Sequence, residues 1–156
     1  MISMIIRKYE PSDCKETAEL FYHTVHTVNA KDYTKKQLNA WAAVNMDMRE
    51  WNRTLLEHFS MAAIENNRIV GFGDIDTRGY LDRLYVHKDY QKQGVATAIC
   101  NELEQFMNRN KIMTQASITA KSFFEQRGYQ VVRKQEVMRN GIFLTNYLME
   151  KEMHSP

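Results

Sequence analysis

Apolar residues in the first third of the chain recur at helical spacing. Cys14, Ala18, Phe21, Val25 and Val28 step by four, three, four and three residues, which places them on one face of a helix. Asp13 and Glu16 have capping-box spacing at its start, and residues 5–9, ahead of Pro11, read as a strand. The apolar opening Met1-Ile2-Ser3-Met4-Ile5-Ile6 has no basic stretch before it and no small-residue cleavage site after it, so it joins that strand rather than forming a secretion signal. A second helix is predicted over residues 35–42, with Thr34 as N-cap, Gln37 at N3 and Tyr33 set to staple onto Leu38. Asp47 with Glu50 opens a third, short helix that carries Trp51, Leu55 and Phe59 inward.

The period then becomes strand-like. Residues 61–65, the turn Asn66-Asn67 and residues 68–76 predict a hairpin, with Gly71 and Gly73 marking a bulge or a close backbone approach. A third strand follows over residues 80–86, and the next helix has Val95, Ile99, Leu103 and Phe106 as its apolar face. A strand near residues 113–117, a short helix over residues 121–127 closed by Gly128, and a hairpin of residues 129–138 and 142–151 around Asn140-Gly141 complete the chain. The order β, α, α, α, β, β, β, α, β, α, β, β predicts one α/β domain over residues 1–156, without repeat or linker.

Composition narrows the function classes. The 156 residues carry 21 basic and 19 acidic side chains, a net charge of +2 that argues against a dense basic face for long nucleic acids. With 44% hydrophobic and 26% charged residues the chain is globular, not disordered. No apolar run reaches the ~18 residues a membrane span needs. Two cysteines, Cys14 and Cys100, form neither a metal knuckle nor a disulfide framework, which points to a reducing cytoplasm. The five histidines show no metal spacing, so no metal is expected.

The candidate chemistry lies where the strand of residues 80–86 runs through Gln91-Lys92-Gln93-Gly94-Val95-Ala96 into a helix. A loop with one glycine leading into small residues presents unpaired N–H groups and the positive end of a helix dipole, an arrangement suited to phosphate. Neither a Walker A loop nor a three-glycine dinucleotide fingerprint is present.

Tyr80-Leu81-Asp82-Arg83-Leu84-Tyr85-Val86 followed by that loop resembles the acetyl-CoA motif Gln/Arg-x-x-Gly-x-Gly/Ala of the GNAT superfamily of N-acetyltransferases. Ala120-Lys121-Ser122-Phe123-Phe124-Glu125-Gln126-Arg127-Gly128-Tyr129 is similar to the family's Ala-x-x-Phe-Tyr-x-x-x-Gly-Phe segment, 24 residues after Ala96. The resemblance spans residues 5–151. It implies the α/β (α+β) GNAT fold: a mixed, mostly antiparallel sheet of about seven strands flanked by helices and splayed between the fourth and fifth. It also implies acetyl-CoA as co-substrate, with the pyrophosphate on the N–H groups of Gln93, Gly94, Val95 and Ala96 beside Gln91, Lys92 and Thr97. The strand of Leu84, Tyr85 and Val86 would pair with pantetheine. Ser117 stands where many members have an asparagine on the pantetheine arm, and Phe124 stands where many have a tyrosine acid.

The implied reaction is transfer of an acetyl group to a primary amine of a small molecule or peptide. The amine must lose a proton, and a carboxylate or a water it orders is a suitable base. Asp82 is the first candidate, two residues before Leu84; the other reading makes it an ion pair with Arg83. Asp74 and Asp76 are alternatives that would otherwise bind the acceptor's charge. Tyr85, Tyr90 or Tyr147 would replace the missing acid at Phe124. Tyr33 and Trp41 are candidates for the acceptor side, or else for core packing. A non-catalytic acyl-CoA-binding module and an enzyme acting on aminoacyl-tRNA, through Arg127, Arg133, Lys134 and Arg139, are the rival readings. A homodimer is left open.

Overall fold

The computed structural model describes residues 3–153; of the apolar opening, Met1 and Ile2 lie outside them. Seven strands form one sheet in the order β1-β2-β3-β4-β5-β7-β6: β1 (Ile5–Lys8), β2 (Phe59–Glu65), β3 (Arg68–Ile75), β4 (Tyr80–Val86), β5 (Lys111–Ser117), β6 (Gln130–Arg139) and β7 (Ile142–Glu152). Only the β4–β5 pair is parallel. The helices are α1 (Cys14–Thr27), α2 (Lys35–Trp41), α3 (Met48–Glu57), α4 (Val95–Met107) and α5 (Lys121–Gln126). No helix among the described residues is long and apolar enough to cross a membrane.

The sheet has a core on each face. On one, α1, α2 and α3 bring Phe21, Val25, Leu38 and Leu55 onto Ala62, Phe72 and Leu144; on the other, α4 and α5 bring Ile99, Leu103 and Phe124 onto Val70, Leu81, Ile112 and Met149. Strand β3 is therefore buried from Ile69 to Ile75. Both halves of the expectation for its glycines hold. A Cβ at Gly71 would lie 2.7 Å from Val95 Cγ1 and one at Gly73 3.0 Å from Ile99 Cγ2, so their absence lets α4 settle on the sheet. The ladders shift register at Ala63/Ile64 and Asp74/Ile75.

The turn residues behave as their chemistry dictates. Asn66, Asn67, Asn140 and Gly141 all have positive φ, the conformation that closes a two-residue hairpin. Thr34 and Gln37 form the reciprocal capping box at α2. Asp13 does not cap α1 with Glu16: its carboxylate turns back to Arg7 at 2.8 and 2.9 Å and to the N–H of Glu10, while Glu16 accepts from Ile69 N.

Phe59 corrects the third helix. α3 stops at Glu57, because His58 is extended and Ser60 Oγ donates to the Leu55 carbonyl; Phe59 begins β2 opposite Ile75. It stacks on Phe106 at 3.7 Å, and Phe106, one residue before the end of α4, stays 58% exposed.

Candidate active site

The loop between β4 and α4 is braced by its own side chains. Gln91 Nε2 donates to the Val86 carbonyl at 2.6 Å, Gln93 Nε2 to that of Asp89 at 3.2 Å, and His87 Nδ1 accepts from Asp89 N at 3.0 Å. Lys92 (φ 60) and Gly94 (φ 85) sit in the left-handed region, the kind of backbone turn that builds anion-binding nests. Gly94 is the N-cap of the 13-residue α4, whose first N–H groups have no partner within the helix. Nothing lies within 4 Å of the Cβ position of Gly94, so the space above the nest is open.

That nest is one end of a cavity of about 680 Å³, lined by Leu84, Tyr85, Val86, Gln91, Lys92, Gly94, Val95, Ala96, Thr97, Ser117 and Phe124, with Lys31 on its border. Its middle is a gap in the sheet. Strands β4 and β5 pair only at Tyr80↔Met113 and Leu81↔Thr114, whereas β5 continues along β7 as far as Ser117↔Asn146. The ladder stops where Thr114 Oγ1 donates to the Leu81 carbonyl at 2.8 Å, a side-chain hydroxyl in place of a backbone donor. Leu84 and Tyr85 are thereby left without a strand on that side.

A smaller cavity of about 250 Å³ opens on the α1–α3 side of the gap. Its wall is aromatic, from Phe21, Tyr33, Trp41, Trp51, Tyr80 and Tyr85, and its polar side comes from β5 and β7 through Gln115, Thr145 and Asn146. Trp41, Asp82, Tyr85, Gln115 and Ser117 line both cavities and so mark their junction. Tyr33 is buried and fixed by its hydroxyl, which donates to the Thr145 carbonyl and accepts from Ile118 N.

Electrostatics separate two titratable groups at that junction. Asp82 keeps a third of its side chain in solvent (34%), yet the surrounding protein, and next the charge of Asp74, push its carboxyl above the usual range. Its partner Arg83 stands 3.5 Å away, so the ion-pair reading and the cleft-facing reading describe the same residue. Tyr85, wedged edge-on to Phe21 at 4.9 Å, has its phenol pushed well up by burial. It therefore keeps its proton at neutral pH, as a weaker acid than a free phenol.

Other expected residues lie elsewhere. Asp74 is fully buried and lines neither cavity; it binds Arg83 N at 2.9 Å and His58 Nδ1 at 2.8 Å. Asp76 accepts from the N–H groups of Arg78 and Tyr80 in the β3–β4 turn, outside both cavities. These hydrogen bonds tie β3 to β4 and to the turn between them. Tyr147 also lines neither cavity, with Lys121 Nζ 5.2 Å above its ring. Gln93 does not line the cavity, and its side chain points back to Asp89. Ser117 Oγ accepts from Ala120 N at 3.0 Å and so also pins the start of α5. Phe124 is 2% exposed and packed against Tyr129, which makes it part of the cavity floor. Sequence reasoning did not place Phe21, Trp51, Gln115 and Asn146 at a cavity; only Gln115, two residues before Ser117 on one strand face, carried a usable signal.

His58, Asp74 and Asp82 bring one ligand atom each within 4.8 Å of one another. Arg83 already supplies a cation there, 3.6 Å from Asp74 and 3.5 Å from Asp82. Two carboxylates against one guanidinium leave the cluster one negative charge in excess while His58 is neutral.

Comparison with known proteins agrees with this geometry. The acetyltransferase (GNAT) domain family matches residues 29–151. The uncharacterized N-acetyltransferase YafP of Escherichia coli (strain K12) is 34% identical over 149 residues, covering 96% of each chain. The crystal structure of a GCN5-related N-acetyltransferase from Rhodopseudomonas palustris superimposes with a TM-score of 0.93 at 30% identity, covering 98% of each chain. The fold is also that of the PaiA N-acetyltransferase of Thermoplasma acidophilum in complex with coenzyme A, with a TM-score of 0.78, 17% identity, and coverage of 97% of this chain and 100% of that one.

Proposed function

The chain belongs to the GNAT acetyltransferase family, and from that premise we propose that it works as a single domain which acetylates the primary amine of a small acceptor by direct attack. The observation that carries this reading is the junction at Asp82 and Tyr85. One base candidate and one acid candidate there face both a groove ending in an anion nest and a separate aromatic pocket.

The groove suits acetyl-CoA. Its nest offers N–H groups, a helix N-terminus and Lys92, with Lys31 on the border, all of the sign a pyrophosphate needs. When bound, acetyl-CoA supplies the activated acyl group; everything else falls to the protein. The open backbone of Leu84 and Tyr85 offers strand-type hydrogen bonds to an amide-bearing arm. Asp82, directly or through water, takes the proton that the amine loses. Tyr85 has the phenol that Phe124 lacks. A thiol of pKa ~8.5 leaves readily as its anion, so this donor contributes modestly.

The acceptor pocket favours a compact amine with an apolar or aromatic body. About 250 Å³ lies below the ~300 Å³ at which drug-sized pockets begin. A tRNA acceptor fits less well, because Arg127 is drawn into an ion pair with Glu104 at 2.8 Å and is 12% exposed. The two cysteines are free, which suits a reducing compartment.

The test is release of CoA thiol across a panel of small aromatic and aliphatic primary amines and short peptides, with acetyl-CoA binding measured by calorimetry. Turnover concentrated among the small amines supports the reading. Binding without turnover on any amine overturns it.

A further inference from the structure

His58 stands between the end of α3 and the start of β2, and it contacts neither cavity. Its Nδ1 lies 2.8 Å from Asp74 Oδ2, so the carboxylate fixes the proton on Nδ1 and leaves Nε2 as the basic nitrogen. Asp74 is itself immobilised: it is fully buried, and its other oxygen accepts from Arg83 N at 2.9 Å. A buried aspartate behind an imidazole keeps the ring oriented and stabilises it when protonated. Asp82 completes the cluster, with a carboxylate oxygen within 4.8 Å of a ring nitrogen of His58, a gap that one water or a rotation of the carboxyl spans. The His58 side chain also reaches bulk water, with 21% of it exposed.

The charges that face His58 come from both strands packed against it and the turn between them: Asp74 on β3, Asp76 in the β3–β4 turn, and Asp82 and Arg83 on β4. On α3, the neighbouring Glu57 is held by Arg53 at 2.6 Å. Three carboxylates against one guanidinium favour a proton on the ring. Its affinity is raised above the usual value, first by the hydrogen bond to Asp74, against an opposing contribution from burial.

We propose that His58 is a positioning residue that drains the acetyl-transfer site of its proton, acting through Asp82. This rests on the reading of Asp82 as base. As the amine nitrogen bonds to the acyl carbon, the carbon–sulfur bond breaks and its electron pair stays on sulfur. One proton then leaves the nitrogen for Asp82. The ring, once neutral, takes that proton from Asp82 on Nε2, and His58 then releases it to solvent, which restores the carboxylate. A plain structural pin between α3 and β3 would need the hydrogen bond to Asp74 but no coupling to Asp82.

Two measurements decide it. The first needs no turnover: the imidazole of His58 is titrated by NMR in the wild type and in Asp82→Asn. The expected result is an apparent pKa that drops by about half a unit or more when the Asp82 charge is removed. Identical titrations overturn the relay. The second is the pH profile of amine acetylation in His58→Gln, whose amide can still donate to Asp74. We expect kcat to fall ~10-fold, an acid limb displaced relative to the wild type, and an acetyl-CoA KM within about twofold. An unchanged limb with kcat within about twofold overturns the proposal. Absence of turnover on every amine would instead overturn the parent reading, and the titration would still decide the coupling.

Discussion

The two cavities that meet at Asp82 and Tyr85 are built in opposite ways. The groove is a backbone site: its anion nest comes from the left-handed residues Lys92 and Gly94 and the start of α4, and its middle from strand edge that lost its neighbour. The pocket is a side-chain site, with Phe21 from α1, Trp41 from α2, Trp51 from α3, Tyr80 and Tyr85 from β4, Gln115 from β5 and Asn146 from β7. Backbone geometry demands particular residues at a fixed local spacing. A convergent wall demands only that distant residues be large or polar. The first kind of site therefore has a short signature, and the second has almost none.

The largest effect expected lies where the two meet. Asp82→Asn should lower kcat by ~100-fold or more while leaving the acetyl-CoA Kd within about twofold, as calorimetry beside steady-state kinetics would register. Because the Asp82 carboxyl is held above the usual range, kcat/KM of the wild type should fall as pH drops through that raised value, where the base gains its proton. The asparagine variant should lose that dependence. A comparable loss of acetyl-CoA binding would mean that the junction serves the groove alone.

The next tests the backbone nature of the nest. Gly94→Val places a branched side chain at φ 85, which costs ~1–2 kcal/mol, and its bulk enters the open space where a phosphate would lie. The acetyl-CoA Kd should rise ~10-fold or more, with kcat at saturation near that of the wild type. Unaltered affinity would remove the nest from the site.

The smallest effect is expected at Phe124, the position where sequence comparison invites a repair. Phe124→Tyr should change kcat by less than ~3-fold, because Tyr85 already offers a phenol at the junction, and it should cost ~1 kcal/mol in thermal unfolding for a hydroxyl placed at a site 2% exposed. A large gain in kcat would transfer the acid role away from Tyr85.

Much of the fold was legible because local chemistry and long-range order agreed. Thr34 and Gln37 mark α2 by a reciprocal hydrogen bond, Asn140-Gly141 marks its hairpin by positive φ, and the spacing of Ile99 and Leu103 marks the buried face of α4. The misplacements occurred where a distant partner outcompeted a local one. Asp13 gave its carboxylate to Arg7 rather than to its own helix, and Phe59 paired across the sheet instead of extending α3. The site divides the same way. The residues of the phosphate loop could be read from one segment, whereas Asp74 and Asp76 looked available for an acceptor because sequence does not reveal that Arg83, His58 and two turn N–H groups already claim them. His58 itself carried no signal, since the carboxylate it binds lies 16 residues away.

The hydroxyl of Thr114 has a thermodynamic consequence for ligand entry. Two parallel strands that have begun to pair would ordinarily continue, and a ligand wedging between them would have to break rungs to get in. Here the carbonyl at the end of the ladder is already satisfied by a side chain, so the slit stands open in the resting protein. Binding is spared the free energy of peeling strands apart, and the association rate should reflect diffusion into a preformed slot rather than the opening of a sheet.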